Sequence, residues 1–157
     1  LTDGNTMISI LNELQHINAY IHLEQARFGD RLKVDYDINI EESFLVPVLI
    51  LQPIVENAIR HGLYQKLEGG RIIIRIDKQK HSFRIAVIDD GLGMTSDRLK
   101  HIFDNTKPKN SIGLTNVNQR LITLYGPKNK LKIYSSMNNG TIVIMKIPFQ
   151  EVSENND

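Results

Sequence analysis

The chain has 157 residues, 19 Lys+Arg against 18 Asp+Glu, 41% hydrophobic residues and no Cys. That is the size and balance of one globular domain with a proper core, and it argues against bulk disorder. The absence of Cys excludes disulfides, zinc–thiolate centres and a Cys nucleophile. A net charge of +1 supplies no overall field for nucleic acid or an acidic membrane, so any basic site must be local.

The first segment, Met7 to Phe28, has helical period. Met7, Ile10, Leu14, Ile17, Ile21 and Phe28 follow steps of three and four, and Leu11 broadens the stripe. Asn12, Glu13, Gln15, His16 and Gln25 form the polar face, and Gly29-Asp30 ends the helix. Leu32 to Ile40 then alternates strictly, as a half-buried strand does. A second helix is expected over Pro47 to His61, with Pro47 at its start and Pro53 kinking or restarting it. The longest apolar run, Phe44 to Leu51, lies here; its eight residues fall far short of the roughly 18 that span a bilayer.

Arg71–Asp77 and Phe83–Ile88 read as an antiparallel pair. Asp89-Asp90-Gly91-Leu92-Gly93 is a glycine-rich turn leaving the second strand. Residues 94–112 are polar, with a short helical stretch near Asp97–Phe103. A third helix starts near Gly113 with Leu114, Val117, Leu121 and Leu124 on its buried stripe, and Gly126-Pro127 stops it. Lys130–Ser135 and Thr141–Ile147 form a last hairpin over Asn138-Asn139-Gly140. The order predicts an α+β sandwich, a mixed sheet covered by helices on one face, preceded by an N-terminal helix.

Three stretches could carry chemistry. Glu56, Asn57, Arg60 and His61 crowd one end of an apolar helix. An Asn amide oxygen suits a hard cation whose other ligands are phosphates and water, and Arg and His suit phosphate oxygens. An ordinary polar helix end, with Glu56 paired to Arg60, explains the same residues. Asp89 ends a buried strand, where a carboxylate needs a donor such as a purine amino group. Gly91 and Gly93 allow close approach of a flat base and positive φ, although a plain Asp-Gly turn is the simpler reading. Ser111-Ile112-Gly113-Leu114-Thr115 leads into a helix start, where free N–H groups can meet phosphate or be plainly capped. Lys100, His101, Lys107 and Lys109 before it suit a lid over an anion, or a solvated loop.

Taken in order, these stretches resemble the Bergerat (GHKL) ATP-binding fold of sensor histidine kinases and type II topoisomerases. Residues 48–62 look like its N box, 89–93 its G1 box and 111–117 its G2 box, and Thr141 after Gly140 looks like its adenine-side Thr. The pattern Leu-Gln-Pro-x-Val-Glu-Asn-Ala-x-x-His-Gly of the LytS/YesM-like sensor kinases stands at Leu51 to Gly62. Tyr20, Arg27-Phe28-Gly29-Asp30-Arg31, Ile112-Gly113-Leu114, Asn116-Val117 and Arg120-Leu121 also match that subfamily.

The resemblance implies an ATP-binding catalytic domain, a protein-histidine kinase acting with Mg²⁺. Asn57 would hold the metal, and Arg60 and His61 would lie against the phosphates. Asp89 would accept from the adenine amino group. Gly91, Gly93 and Met94 would shape the pocket, Ser111, Gly113 and Leu114 would meet the phosphates, and Glu56 would polarise the attacking imidazole. Hydrolysing relatives place a general-base Glu where Pro53 stands here, which favours transfer over hydrolysis.

The acceptor motif of the subfamily is absent, so the acceptor His is expected on a separate upstream domain. Residues 1–29 then end the dimerisation region, 30–150 form the catalytic domain and 151–157 a flexible tail. The Leu start fits a piece of a longer protein, a cytoplasmic part of a membrane-bound, homodimeric bacterial kinase. Its partners would be ATP, the acceptor domain of the same protein and a response regulator, with no nucleic acid. A nucleotide-gated interaction module, or an ATPase without transfer, is the alternative.

Overall fold

A computed structural model describes residues 6–104 and 112–150. Its centre is a five-stranded sheet in the order β2-β4-β5-β7-β6. The strands are β2 Leu32–Asn39, β4 Gly70–Lys78, β5 Ser82–Asp89, β6 Lys132–Ser135 and β7 Thr141–Pro148. β2 and β4 pair in parallel and the other neighbours are antiparallel, so the sheet is mixed as expected. A separate two-stranded ladder joins β1, Met7–Ser9, to β3, Leu45–Pro47. The helices are α1 Ile10–Phe28, α2 Gln52–Ala58, α3 Ser96–Lys100 and α4 Ile112–Tyr125.

Alternation along the central strands builds the core. Ile72, Ile74 and Ile76 of β4, Ile85 and Val87 of β5, and Val143, Met145 and Ile147 of β7 are buried in one cluster. That cluster includes Ile10, Ile17 and Ile21 of α1, Ile54, Val55 and Ala58 of α2, and Leu114, Val117 and Leu121 of α4. The N-terminal helix therefore shares the core of the sheet. Burying a Leu- or Ile-sized side chain contributes roughly 1.5–3 kcal/mol, so these stripes are the main favourable term holding helices to strands.

Four expectations need correction. Met7 is not helical; its backbone pairs with Pro47 in the short ladder, and Ser9 caps α1 by accepting the Asn12 N–H at 3.1 Å. Pro47 ends β3 instead of opening a helix, and α2 begins four residues after Val48, with Pro53 in its first turn. There Pro costs no hydrogen bond, because the first N–H groups of a helix have no intrahelical partner. Leu11 does not broaden the buried stripe; it is 55% exposed. Glu13, assigned by residue type to the polar face, is fully buried.

The β5–β7 ladder is tight where it ends. Gly140 has φ 77, and a Cβ there would lie 2.0 Å from the Asp89 carbonyl oxygen. Gly140→Ala should therefore destabilise the chain by about 2 kcal/mol or more, read as a lowered urea midpoint at unchanged slope. An unchanged midpoint would show that the hairpin can open without loss.

Candidate functional site

The inward-facing residues of β5 run Phe83, Ile85, Val87 and then Asp89. Those of β7 run Thr141, Val143, Met145 and Ile147, and the register sets Asp89 opposite Thr141. Two apolar series thus finish in one polar pair, and a cleft opens beside it. Gly93, Met94 and Thr141 line the cleft with Asp89. Asn57 near the end of α2 and His61, one turn on in the π-helical segment Ile59–Leu63 that continues it, line the cleft from the other side. Arg98 of α3 and Ile102 complete the wall.

Asp89 is 8% exposed. Its Oδ1 accepts the Gly91 N–H at 2.9 Å. Burial pushes its carboxyl up from 3.8 to about 6, opposed by the bonds from the Gly91 and Thr141 backbone and reinforced by the neighbouring Asp90 charge. Asp90 itself turns away from the cleft and accepts the Arg71 N–H at 2.8 Å, while Lys66 Nζ donates to the Asp90 carbonyl at 2.9 Å.

Ser135 organises the opposite rim. Its Oγ donates to the Gly140 carbonyl and accepts the Met94 N–H, both at 2.9 Å. The Thr141 hydroxyl lies 2.8 Å from the same oxygen. Because the one Ser135 proton is already committed to Gly140, Thr141 is the donor in that pair. The Thr141 oxygen keeps its lone pairs. Asp89 and Thr141 therefore both present acceptors, beside the apolar Met94 and Ile102. Such a rim suits a flat, weakly polar ligand that carries an amino group.

Of the two glycines expected to take positive φ, only Gly93 does, at φ 70; Gly91 serves through its N–H. A Cβ on Gly93 would lie 1.9 Å from the Ser136 carbonyl oxygen, so the turn closes only with glycine. Glu56 and Arg60 stand one position before Asn57 and His61 on the helix and are not among the cleft-lining residues. Glu56 accepts from Gln52 Nε2 at 3.0 Å. Both also act electrostatically on Tyr20 of α1, whose hydroxyl is pushed up to about 12, chiefly by burial and then by Glu24 and Glu56, with Arg60 opposing.

Gly113 packs on α2, where a Cβ would lie 3.3 Å from Pro53 Cβ, and Leu114 is 1% exposed in the core. Ser111, Lys107 and Lys109 lie outside the described residues, as does the tail 151–157. Among the expected lid residues, His101 sits between Asp97 and Asp104 at 3.7 and 3.4 Å.

Arg98, Ile102 and Ser135 were not singled out from sequence. Arg98 Nη2 lies 3.5 Å from His61 Nδ1. A cation three residues into a short helix after the glycine turn carries no distinctive spacing. Ser135 is legible only through its register with Thr141.

Residues 45–151 match the histidine kinase-, DNA gyrase B- and HSP90-like ATPase family. The chain belongs to this family. It is 40% identical over 143 residues to the sensor histidine kinase YpdA of Escherichia coli (strain K12), across 91% of this chain and 25% of that protein. The sensor protein LytS of Bacillus subtilis (strain 168) is 36% identical over 152 residues, 94% of this chain and 26% of that one. The chain thus spans about a quarter of the length of these relatives. Among solved structures, the catalytic domain of histidine kinase ThkA superposes with a TM-score of 0.70 at 16% identity, over 91% of this chain and 94% of that chain. ThkA in complex with the response regulator TrrA gives 0.69 at 14% identity, over 92% and 42%. These likenesses establish the GHKL kinase-domain fold. Among the described residues, no helix is long and apolar enough to cross a membrane.

The raised Asp89 carboxyl has a consequence for stability. The unfolded chain ionises it near 3.8, the folded chain only near 6. Folding is therefore penalised as pH rises through that window, by on the order of 2–3 kcal/mol once both states are ionised. Asp89→Asn removes the penalty and keeps an acceptor for the Gly91 N–H. The variant should be more stable than the parent by about 1–3 kcal/mol at pH 7, with the difference vanishing toward pH 4. Urea melts at several pH values check this; a gain independent of pH would refute the burial explanation.

Proposed function

We propose that the chain is the ATP-binding catalytic domain of a sensor histidine kinase of the LytS/YesM-like group. It binds Mg·ATP and places the γ-phosphoryl group for transfer to a His on a separate domain of the same protein, for relay to a response regulator. The observation that carries this reading is the pair of buried acceptors, Asp89 and Thr141, facing Asn57 and His61 across one cleft.

The adenine amino group would donate to Asp89, with Gly93 and Met94 against the ring. The phosphates would lie toward His61, Arg98 and the start of α4 at Gly113. Arg60 and Glu56 would reach the site from the exposed edge of α2, and Ser111 would belong to the phosphate-side loop. Among the described residues no cluster of three His, Asp or Glu could hold a metal alone. One amide oxygen at Asn57 fits a cation whose other ligands are phosphate and water oxygens. Mg²⁺ held there supplies charge neutralisation of the phosphates. The chain's own contribution is positioning and electrostatics, because it offers no base at Pro53 for activating water. In the whole protein the acceptor domain and the response regulator are the partners, and the full-length form is a membrane-bound homodimer with this domain in the cytoplasm.

A titration with a non-hydrolysable ATP analogue tests the reading. Asp89→Asn should weaken binding about tenfold or more, and parental affinity should fall from pH 7 to pH 5 as the carboxylate is protonated. Asn57→Ala should abolish the Mg²⁺-dependent part of the affinity. With γ-labelled ATP the chain alone should remain unlabelled, and an added acceptor domain should gain acid-labile phosphate. Stable labelling of the chain alone, or sustained phosphate release without an acceptor, would replace transfer with another chemistry.

A further inference from the structure

We propose that Glu13, on the N-terminal helix, is a positioning residue for the helix-borne half of the cleft. Its carboxylate fixes the turn that launches α2 and thereby sets where Asn57 stands.

Glu13 is 0% exposed. A carboxylate so far from water needs donors, and it takes two from one turn. Oε2 accepts the Leu49 N–H at 3.1 Å and Oε1 accepts the Leu51 N–H at 3.0 Å. No side chain of the turn itself caps α2. Leu49 also sits at φ 55, a left-handed conformation that L-residues avoid and that persists only when the surroundings over-determine it. On the other side, Arg120 Nη2 of α4 donates to the Val48 carbonyl at 2.7 Å. The turn 48–51 is thus gripped from α1 and α4 through its backbone.

Asn57 follows Leu51 by six residues, less than two helical turns. A shift at the turn therefore moves Asn57 and His61 with α2. Asp89 and Thr141 stay where the β5–β7 ladder holds them. Glu13 touches neither half of the cleft; it acts through the turn on their separation.

For its functional readout the inference rests on the nucleotide reading, whereas its structural readout is independent. Glu13→Gln keeps shape and one acceptor oxygen but sets an amide NH₂ against a backbone N–H. Magnetic resonance of the whole chain without ligand should show displaced Leu49 and Leu51 amides and a displaced Asn57 side-chain NH₂, with the Asp89 and Thr141 amides unmoved. Titration with ADP should find metal-free affinity within about twofold of the parent and the Mg²⁺-dependent gain reduced about tenfold. Ile17→Val lowers stability from the same helix without removing these bonds, and it should keep the gain. If Glu13→Gln does not fold, adding Leu49→Gly relieves the left-handed turn, and the same readouts apply to the double variant.

Unmoved Asn57 resonances overturn the proposal. So does a gain that falls in proportion to stability in both variants, since Glu13 would then be merely structural. If the parent shows no Mg²⁺-dependent gain, the nucleotide reading fails, and the Asn57 resonances alone decide the role of Glu13.

Discussion

β5 and β7 run antiparallel with their inward positions apolar until the last pair, where Asp89 meets Thr141. A carboxylate can be kept there only if its bonds are supplied locally and the chain bends away at once. The Gly91 N–H supplies one bond, and Asp90 turns back to the Arg71 backbone. Gly93 then crosses so close to Ser136 that no side chain fits, and Gly140 crosses as closely over Asp89 itself. Ser135 ties the two crossings together through Met94, Gly140 and Thr141. The cleft is what remains beside this knot, and its shape follows from the need to hold one ionisable group away from water.

The other wall has a different origin. α2 is seven residues long, and an isolated helix of that length does not form in water. Packing of Ile54, Val55 and Ala58 holds its middle. α1 holds both of its ends. Glu13 takes the turn before it, and Glu24 accepts the Tyr64 hydroxyl at 3.2 Å after it. Phe28 adds an edge-on contact to the Tyr64 ring, with centroids 4.8 Å apart. Between these clamps the helix widens into a π-helical turn, Ile59–Leu63, which contains His61. A widened turn is a local departure from the best backbone bonding, of a kind often found where a side chain must be re-aimed toward a site.

The long elements were legible because burial is one-sided. Strict alternation marks Leu32–Ile40, and β-branched, apolar-rich runs bounded by turn residues mark Arg71–Asp77, Phe83–Ile88 and the last hairpin. The cleft residues Asn57, His61, Asp89, Gly93 and Thr141 were legible as motifs in order. What escaped was decided by tertiary contacts. The three-residue strands β1 and β3 are too short for a period, and pairing with each other makes them strands. Pro47 followed a sound local rule and met a ladder position instead. Glu13 belongs to the polar face by residue type and to the interior by position. With Ile10, Ile17, Ile21 and Glu24 it lies on one helical stripe, so spacing alone puts it inside. Two acids on a buried stripe signal donors across the interface: the Leu49 and Leu51 N–H groups for Glu13 and the Tyr64 hydroxyl for Glu24.

The two walls divide what a nucleotide would need. On the proposed reading, recognition of a base would sit on a hydrogen-bonded ladder, whose register cannot change by small steps, since a slip of one residue would turn Asp89 outward. On the same reading the cation contact would sit at Asn57 on a short helix whose position is set by neighbouring helices, with His61 and Arg98 beside it. A chain of net charge +1 can then serve a polyanion, because a cation is placed locally: Arg98 on α3, 3.5 Å from His61 at the cleft. On the proposed reading, the base can be held while the phosphate end is adjusted. That is the arrangement a kinase domain requires if an upstream helix is to alter transfer without releasing the nucleotide.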